Sequence, residues 1–224
     1  MKDKNFNLLF LSNIINKFGD SIDLIAFMWL TYEVTNSAAL TGVVAAFNGL
    51  PAIVLGLFSG IIADRFDKKK LMAWSDFFRG IMVVLICILY LFNDLNVYIL
   101  IIATLIISIL EILSTPARRA ILPSIVEKED LLKCNSKISS GKLIVQLIGL
   151  AVAGTIISKF GVVAAIGTDA ATFFISFILL MNIKVNKKDD IRKDKKYSIK
   201  SDVKEALAIL FKQLTILRTT IIAT

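Results

Sequence analysis

Residues 38–63 read AALTGVVAAFNGLPAIVLGLFSGIIA, a run of 26 residues without a charged side chain. A helix needs about 20 residues to cross the hydrocarbon core of a bilayer, so this run is long enough to cross. A soluble domain of the same length would not require it. GIMVVLICILYLF and VYILIIATLIISIL repeat the pattern, and 56% of the 224 residues are hydrophobic. The expected fold class is all-α: a polytopic membrane protein whose first partner is the lipid bilayer.

Six transmembrane helices are predicted, at 8–31, 40–63, 71–92, 97–115, 141–158 and 162–183. The connections alternate in charge. YEVTNSAA and NDLN carry no Lys or Arg, and only Lys159 follows the fifth span. The opposite side holds Lys2, Lys4, Arg65, Lys68 to Lys70, Arg118, Arg119, Lys128, Lys133 and Lys137, then a basic cluster beyond Ile183. Basic residues gather on cytoplasmic loops, which places the N-terminus and the end of the sixth span in the cytoplasm. The same bias accounts for the net charge of +8, so nucleic acid is not an expected partner. The chain has no His, and its two cysteines, Cys87 and Cys134, fit no metal or disulfide framework. No metal and no cofactor are expected, and no nucleotide loop or activated nucleophile suggests an enzyme.

The first span is too polar for a passive anchor. Starting it at Ile22 would leave too few residues to cross, so its polar part must enter the membrane. Asn13, Asn16, Asp20 and Asp23 are spaced three, four and three apart, which puts them on one helical face. An ionised carboxylate at the bilayer centre costs at least about 2.5–3.5 kcal/mol on insertion scales, so the stripe should face the bundle interior. Two readings stay open: a structural seam with Lys17 neutralising one acid, or a cavity that handles an ion or a substrate. Glu111 in the fourth span joins the cavity candidates. Asp76 and Arg79, three apart in the third span, are placed to pair with each other. Asp169, between Thr168 and Thr172, reads as a hydrogen-bonded packing residue.

Residues 60–70, GIIADRFDKKK, join the second and third spans. A carboxylate at a helix C-terminus meets the negative end of the macrodipole, so Asp64 calls for a partner; Arg118 and Arg119 lie on the same side of the membrane. The stretch resembles the loop between helices two and three of the major facilitator superfamily, with Gly60, Asp64, Arg65, Lys68 and Lys69 at the matching positions and Asp67 where many members carry Gly. FGDSI, SDFFRG, STPARRAILPSIV and LTILRTT are similar to the drug-, macrolide- and siderophore-exporter branch, in the same order along the chain. Two departures stand out. GLAVAG keeps Gly149 and Gly154 of the helix-five antiporter signature but has Leu150 in place of its proline, and the fourth span lacks a mid-membrane Arg.

The resemblance implies half of a facilitator-type bundle, built of two three-helix repeats. It divides the chain into a bundle at 1–183, a charged connecting loop with an amphipathic helix at 184–213, and the start of a truncated seventh helix at 214–224. It further implies an exporter of small amphipathic molecules working by alternating access, with proton coupling an open option. Asn13, Asn16, Asp20, Asp23 and Glu111 would then line the substrate or coupling cavity. Gly60, Asp64, Arg65, Lys68 and Lys69 would form the cytoplasmic gate, and Asp76, Arg79, Arg118 and Arg119 a supporting charge network. Implied partners are a small-molecule substrate, protons, and a missing C-terminal half or a second copy. The rival readings are a six-helix module acting as a dimer or with a separate half, and a non-transporting assembly or channel-like protein.

Overall fold

A computed structural model describes residues 2–184. The expected connecting loop, surface helix and seventh-helix start lie outside the described residues, apart from Lys184. The described chain is all helical: α1 (Lys2–Thr35), α2 (Ala38–Arg65), α3 (Lys68–Leu91), α4 (Val97–Ala120) and α5 (Leu131–Met181), with two short 3₁₀ turns, Leu122–Ser124 and Lys128–Asp130, between α4 and α5.

Local signals set the helix ends. Ser37 accepts from the Leu40 amide at 3.3 Å to start α2, Asp67 from Lys70 at 3.0 Å to start α3, and Asn96 from Ile99 at 3.0 Å to start α4. Each side chain satisfies an amide that the first helical turn leaves without a partner. Asp67, the residue that departs from the family pattern, is thus a helix cap. The turns at the opposite end of the bundle use left-handed residues: Asn36 (φ 48°) after α1 and Asn93 (φ 59°) after α3. Gly161 (φ 80°, ψ 168°) interrupts α5 with a non-helical residue, dividing it into arms 131–160 and 162–181.

Four stretches are long and apolar enough to cross a membrane: Ala38–Gly56, Lys68–Leu91, Val97–Ala120 and Lys128–Met181. The difference from the six expected spans has two causes. Helix α1, 34 residues long, has the length but carries Lys17, Asp20 and Asp23 along its middle. The last stretch counts once although its 54 residues amount to about 80 Å of helix, more than twice the hydrocarbon thickness. Its break at Gly161 falls between the fifth and sixth expected spans. Helix α5 also begins ten residues before the expected 141, so part of the anticipated polar connection is helical.

The interior holds two apolar clusters. One, towards the turn end, gathers Ile22, Leu30, Ile86, Leu100, Ile157 and Phe173 among others. The second, at the basic end, gathers Leu9, Met72, Ala117, Leu122 and Leu180. Outward faces are apolar too: Ile53, Val54, Leu143, Ile144 and Leu147 are exposed. Exposed Trp29, Tyr32, Phe92, Tyr98 and Phe160 ring the turn end, and Trp74 follows the basic residues that open α3. An apolar exterior rimmed by aromatics is the surface expected of a protein set in a bilayer. The molecule is a multi-pass membrane protein.

Candidate functional site

Between the two apolar clusters lies a layer of polar and charged side chains, centred on two residues of α3 one turn apart. Asp76 is fully buried, at 0% exposure. It accepts from Arg118 Nη2 on α4 at 2.5 and 2.6 Å, from Asn16 Nδ2 on α1 at 3.2 Å, and from Ser176 Oγ on α5 at 2.6 Å. Arg79 is its mirror image in charge. Arg79 Nη2 donates to Asp20 Oδ1 on α1 at 2.8 Å and lies 3.5 Å from Glu111 Oε2 on α4. Its guanidinium stacks on the Phe173 ring of α5, 4.3 Å from the centroid. Each α3 charge therefore ties together the same three neighbouring helices.

This corrects the expected Asp76–Arg79 pair. The two sit on one face of α3, but each finds an opposite charge on another helix. A fully buried carboxylate needs its remaining lone pairs filled as well as a counter-charge, and Arg118, Asn16 and Ser176 together do that. Asp169 is also fully buried, and its carboxyl meets that of Asp23 on α1 rather than a threonine hydroxyl. Thr172 Oγ1 donates to the Asp169 backbone carbonyl at 2.7 Å, and Thr168 Oγ1 to that of Ala164 at 2.8 Å. Each threonine turns back on its own helix instead of reaching the acid.

A cavity of about 370 Å³ opens from this layer towards the basic end. Asn13, Asn16, Asp20, Arg79, Glu111, Arg118 and Arg119 all line it. Helices α1, α3 and α4 thus bring four of the five expected cavity residues together with most of the charge network. Asp23 does not join them. One turn further along α1, it lines a second cavity of about 260 Å³ with Phe27, Thr31, Asn48 and Thr104. Lys17, Asn135, Ser139 and Lys142 also line the first cavity. Of these, Lys142 had a visible signal, a lone charge at the start of an apolar run. Asn135 and Ser139 had none, since they fell in a stretch read as a polar connection.

The residues of the 60–70 stretch stand apart from the cavity. Gly60 is half-buried with open space around it, and Asp64 and Arg65 are exposed. Arg118, considered as a partner for Asp64, is held by Asp76, and no ion pair of Asp64 is found among the described residues. Lys69 Nζ donates to the Met181 carbonyl at 2.8 Å, joining the start of α3 to the end of α5.

Close approach of α1 and α5 underlies the layer. A Cβ on Gly19 would lie 1.9 Å from Thr172 Oγ1 and 2.6 Å from Asp169 Oδ1, and one on Gly149 would lie 2.7 Å from Ser21 Cβ and 3.1 Å from the Phe18 carbonyl. Small residues let these helices meet nearly backbone to backbone. Gly149 of GLAVAG has this packing role, whereas Gly154 has nothing within 4 Å.

The sequence profile of the transmembrane secretion effector family matches residues 1–208. The chain is 28% identical over 183 residues to the staphyloferrin A transporter of Staphylococcus aureus, covering 80% of this chain and 44% of that protein. It is 25% identical over 205 residues to macrolide efflux protein A of Streptococcus pyogenes, covering 92% and 51%. With macrolide efflux protein A of Enterococcus faecalis the identity is 28% over 161 residues, covering 72% and 50%. The chain spans about half the length of the curated relatives it matches.

Proposed function

The chain belongs to the transmembrane secretion effector family of the major facilitator superfamily, and from that membership we propose that it forms the first six-helix half of a secondary-active exporter of small organic molecules. The observation that carries this reading is the charged layer at Asp76 and Arg79, opening into a cavity between α1, α3, α4 and α5. Ionisable residues kept inside a membrane bundle are costly and commonly mark a path for an ion or a substrate. The printed names of the relatives, a siderophore transporter and macrolide efflux proteins, support movement of a small organic solute.

In this reading the arms of α5 make the fifth and sixth crossings, and α1 makes the first with its polar face inward. The basic end faces the cytoplasm. Asp20 is the acid that substrate or proton meets. Its bond to Arg79 gives that event a mechanical consequence: neutralising or engaging Asp20 releases α1 from the α3 cation, and the freed helices rearrange. Asp64 and Arg65 close the cytoplasmic mouth against a partner half, with Gly60 giving room for approach. The test is solute flux in vesicles carrying the protein with Asp20→Asn. Loss of coupled flux with normal membrane insertion is expected; undiminished flux removes Asp20 from the mechanism.

A further inference from the structure

The wall of the larger cavity is unbalanced in charge. Lys17, Arg79, Arg118, Arg119 and Lys142 face it, against the carboxylates of Asp20 and Glu111. Arg79 is engaged by both of those acids. Arg118 spends only Nη2 on Asp76; its Nη1 is buried without any hydrogen-bond partner, on a side chain 8% exposed. No ion pair of Lys17, Arg119 or Lys142 is found among the described residues. Lys142 feels repulsion from Arg118, Lys17 and Arg119 against attraction from Asp20 alone.

Residues that only orient a protein in the membrane sit exposed at element ends, as Lys70 in the first turn of α3 and Lys128 in the turn before α5 do. Cations converging on a recess cost more, because repulsion grows as water is excluded. A bound anion turns that repulsion into attraction. Guanidinium and ammonium groups are suited to a carboxylate or phosphate oxygen, since charge-assisted bonds of this kind are the strong ones. The volume of about 370 Å³ is within the usual range for small-molecule sites, about 300–1,000 Å³. Among the described residues Leu122 and Ile138 are the only apolar ones on its wall, so the groups that would orient a ligand there are polar and charged.

We propose that this cavity is an anion-binding site, taking a small polar molecule through a carboxylate or phosphate group seated among the cationic side chains of Lys17, Arg118 and Lys142 that line it. As the cargo of the exporter proposed above, the ligand class rests on that reading; binding itself does not require transport. The test is titration calorimetry on the detergent-solubilised protein with citrate, inorganic phosphate and a lipophilic cation as separate probes. Saturable binding of citrate or phosphate is expected, weakened about tenfold or more by Lys142→Gln or by Lys17→Gln and unchanged by Lys159→Gln at the other end of the bundle. The stronger of the two anions tells carboxylate from phosphate. Binding of the cation alone, or anion binding indifferent to both cavity variants, overturns the proposal. Flux measured in parallel keeps the two ideas separate: flux without anion binding overturns the site and spares the exporter, and anion binding without flux does the reverse.

Discussion

Asp76 and Arg79 show how differently two charges one turn apart can be used. Asp76 does not line the cavity itself, although its partners Asn16 and Arg118 do. Removing one member of such a buried pair leaves the other uncompensated, a loss of about 3–5 kcal/mol. Asp76→Ala should therefore destabilise the protein by that order, read as a lower midpoint of thermal unfolding in detergent. Replacing both partners, Asp76→Leu with Arg118→Met, should recover much of the loss; a double variant no better than the single one would show that Asp76 matters for another reason. Arg79 is the more open of the two, because it lines the cavity itself together with Asp20 and Glu111. Glu111 stays beside Arg79 when Asp20 is changed, so Asp20 variants should alter flux more than stability.

Among the helices, the pair α1 and α5 sets the geometry of the layer, and glycine sets the pair. Gly19→Ala drives a methyl into Thr172 and Asp169, and overpacking of this kind costs about 1–3 kcal/mol. Gly154→Ala meets open space, and the change even favours a helix by up to about 1 kcal/mol. Proteolytic or thermal stability should thus fall for the first and hold or rise for the second. Equal effects would mean that α1 and α5 do not approach as closely as the structure has them. At this scale the sequence was partly legible. The apolar runs located α2, α3 and α4 well, because an uncharged run longer than a membrane is thick has few alternatives. The stripe on α1 was legible as a face but not in its partners. Spacing along one helix suggested Asp76 with Arg79, whereas the observed partner of Asp76 is 42 residues away on α4. Nothing local encodes such a pairing; it follows from how the helices are rotated against one another. The charge at Lys142 was visible too, but its neighbours became apparent only when the α4 and α5 ends met.

Across the whole molecule, the distribution of charge and aromatic side chains defines two ends and a direction. The basic end should be cytoplasmic. In a background with Cys87 and Cys134 replaced by Ser, Lys128→Cys should react with an impermeant maleimide only after the cells are opened, and Lys159→Cys should react from outside. The reverse pattern would invert the orientation and move the larger cavity to the outer face. Family membership was legible because the 60–70 stretch couples its pattern to a fixed place between two spans. The substrate was not, since a cavity is a property of several helices at once, and no single segment carries its net charge.

The account depends most on the polar face of α1 lining a water-filled space inside the bundle while its other face meets lipid. Single cysteines along α1, tested with a small water-borne thiol reagent in intact membranes, measure this directly. Reactivity at positions 13, 17 and 20, with protection at the outward-facing position 11, is the predicted pattern. Reactivity on all faces before Ile22 would put that segment outside the membrane and contradict the account.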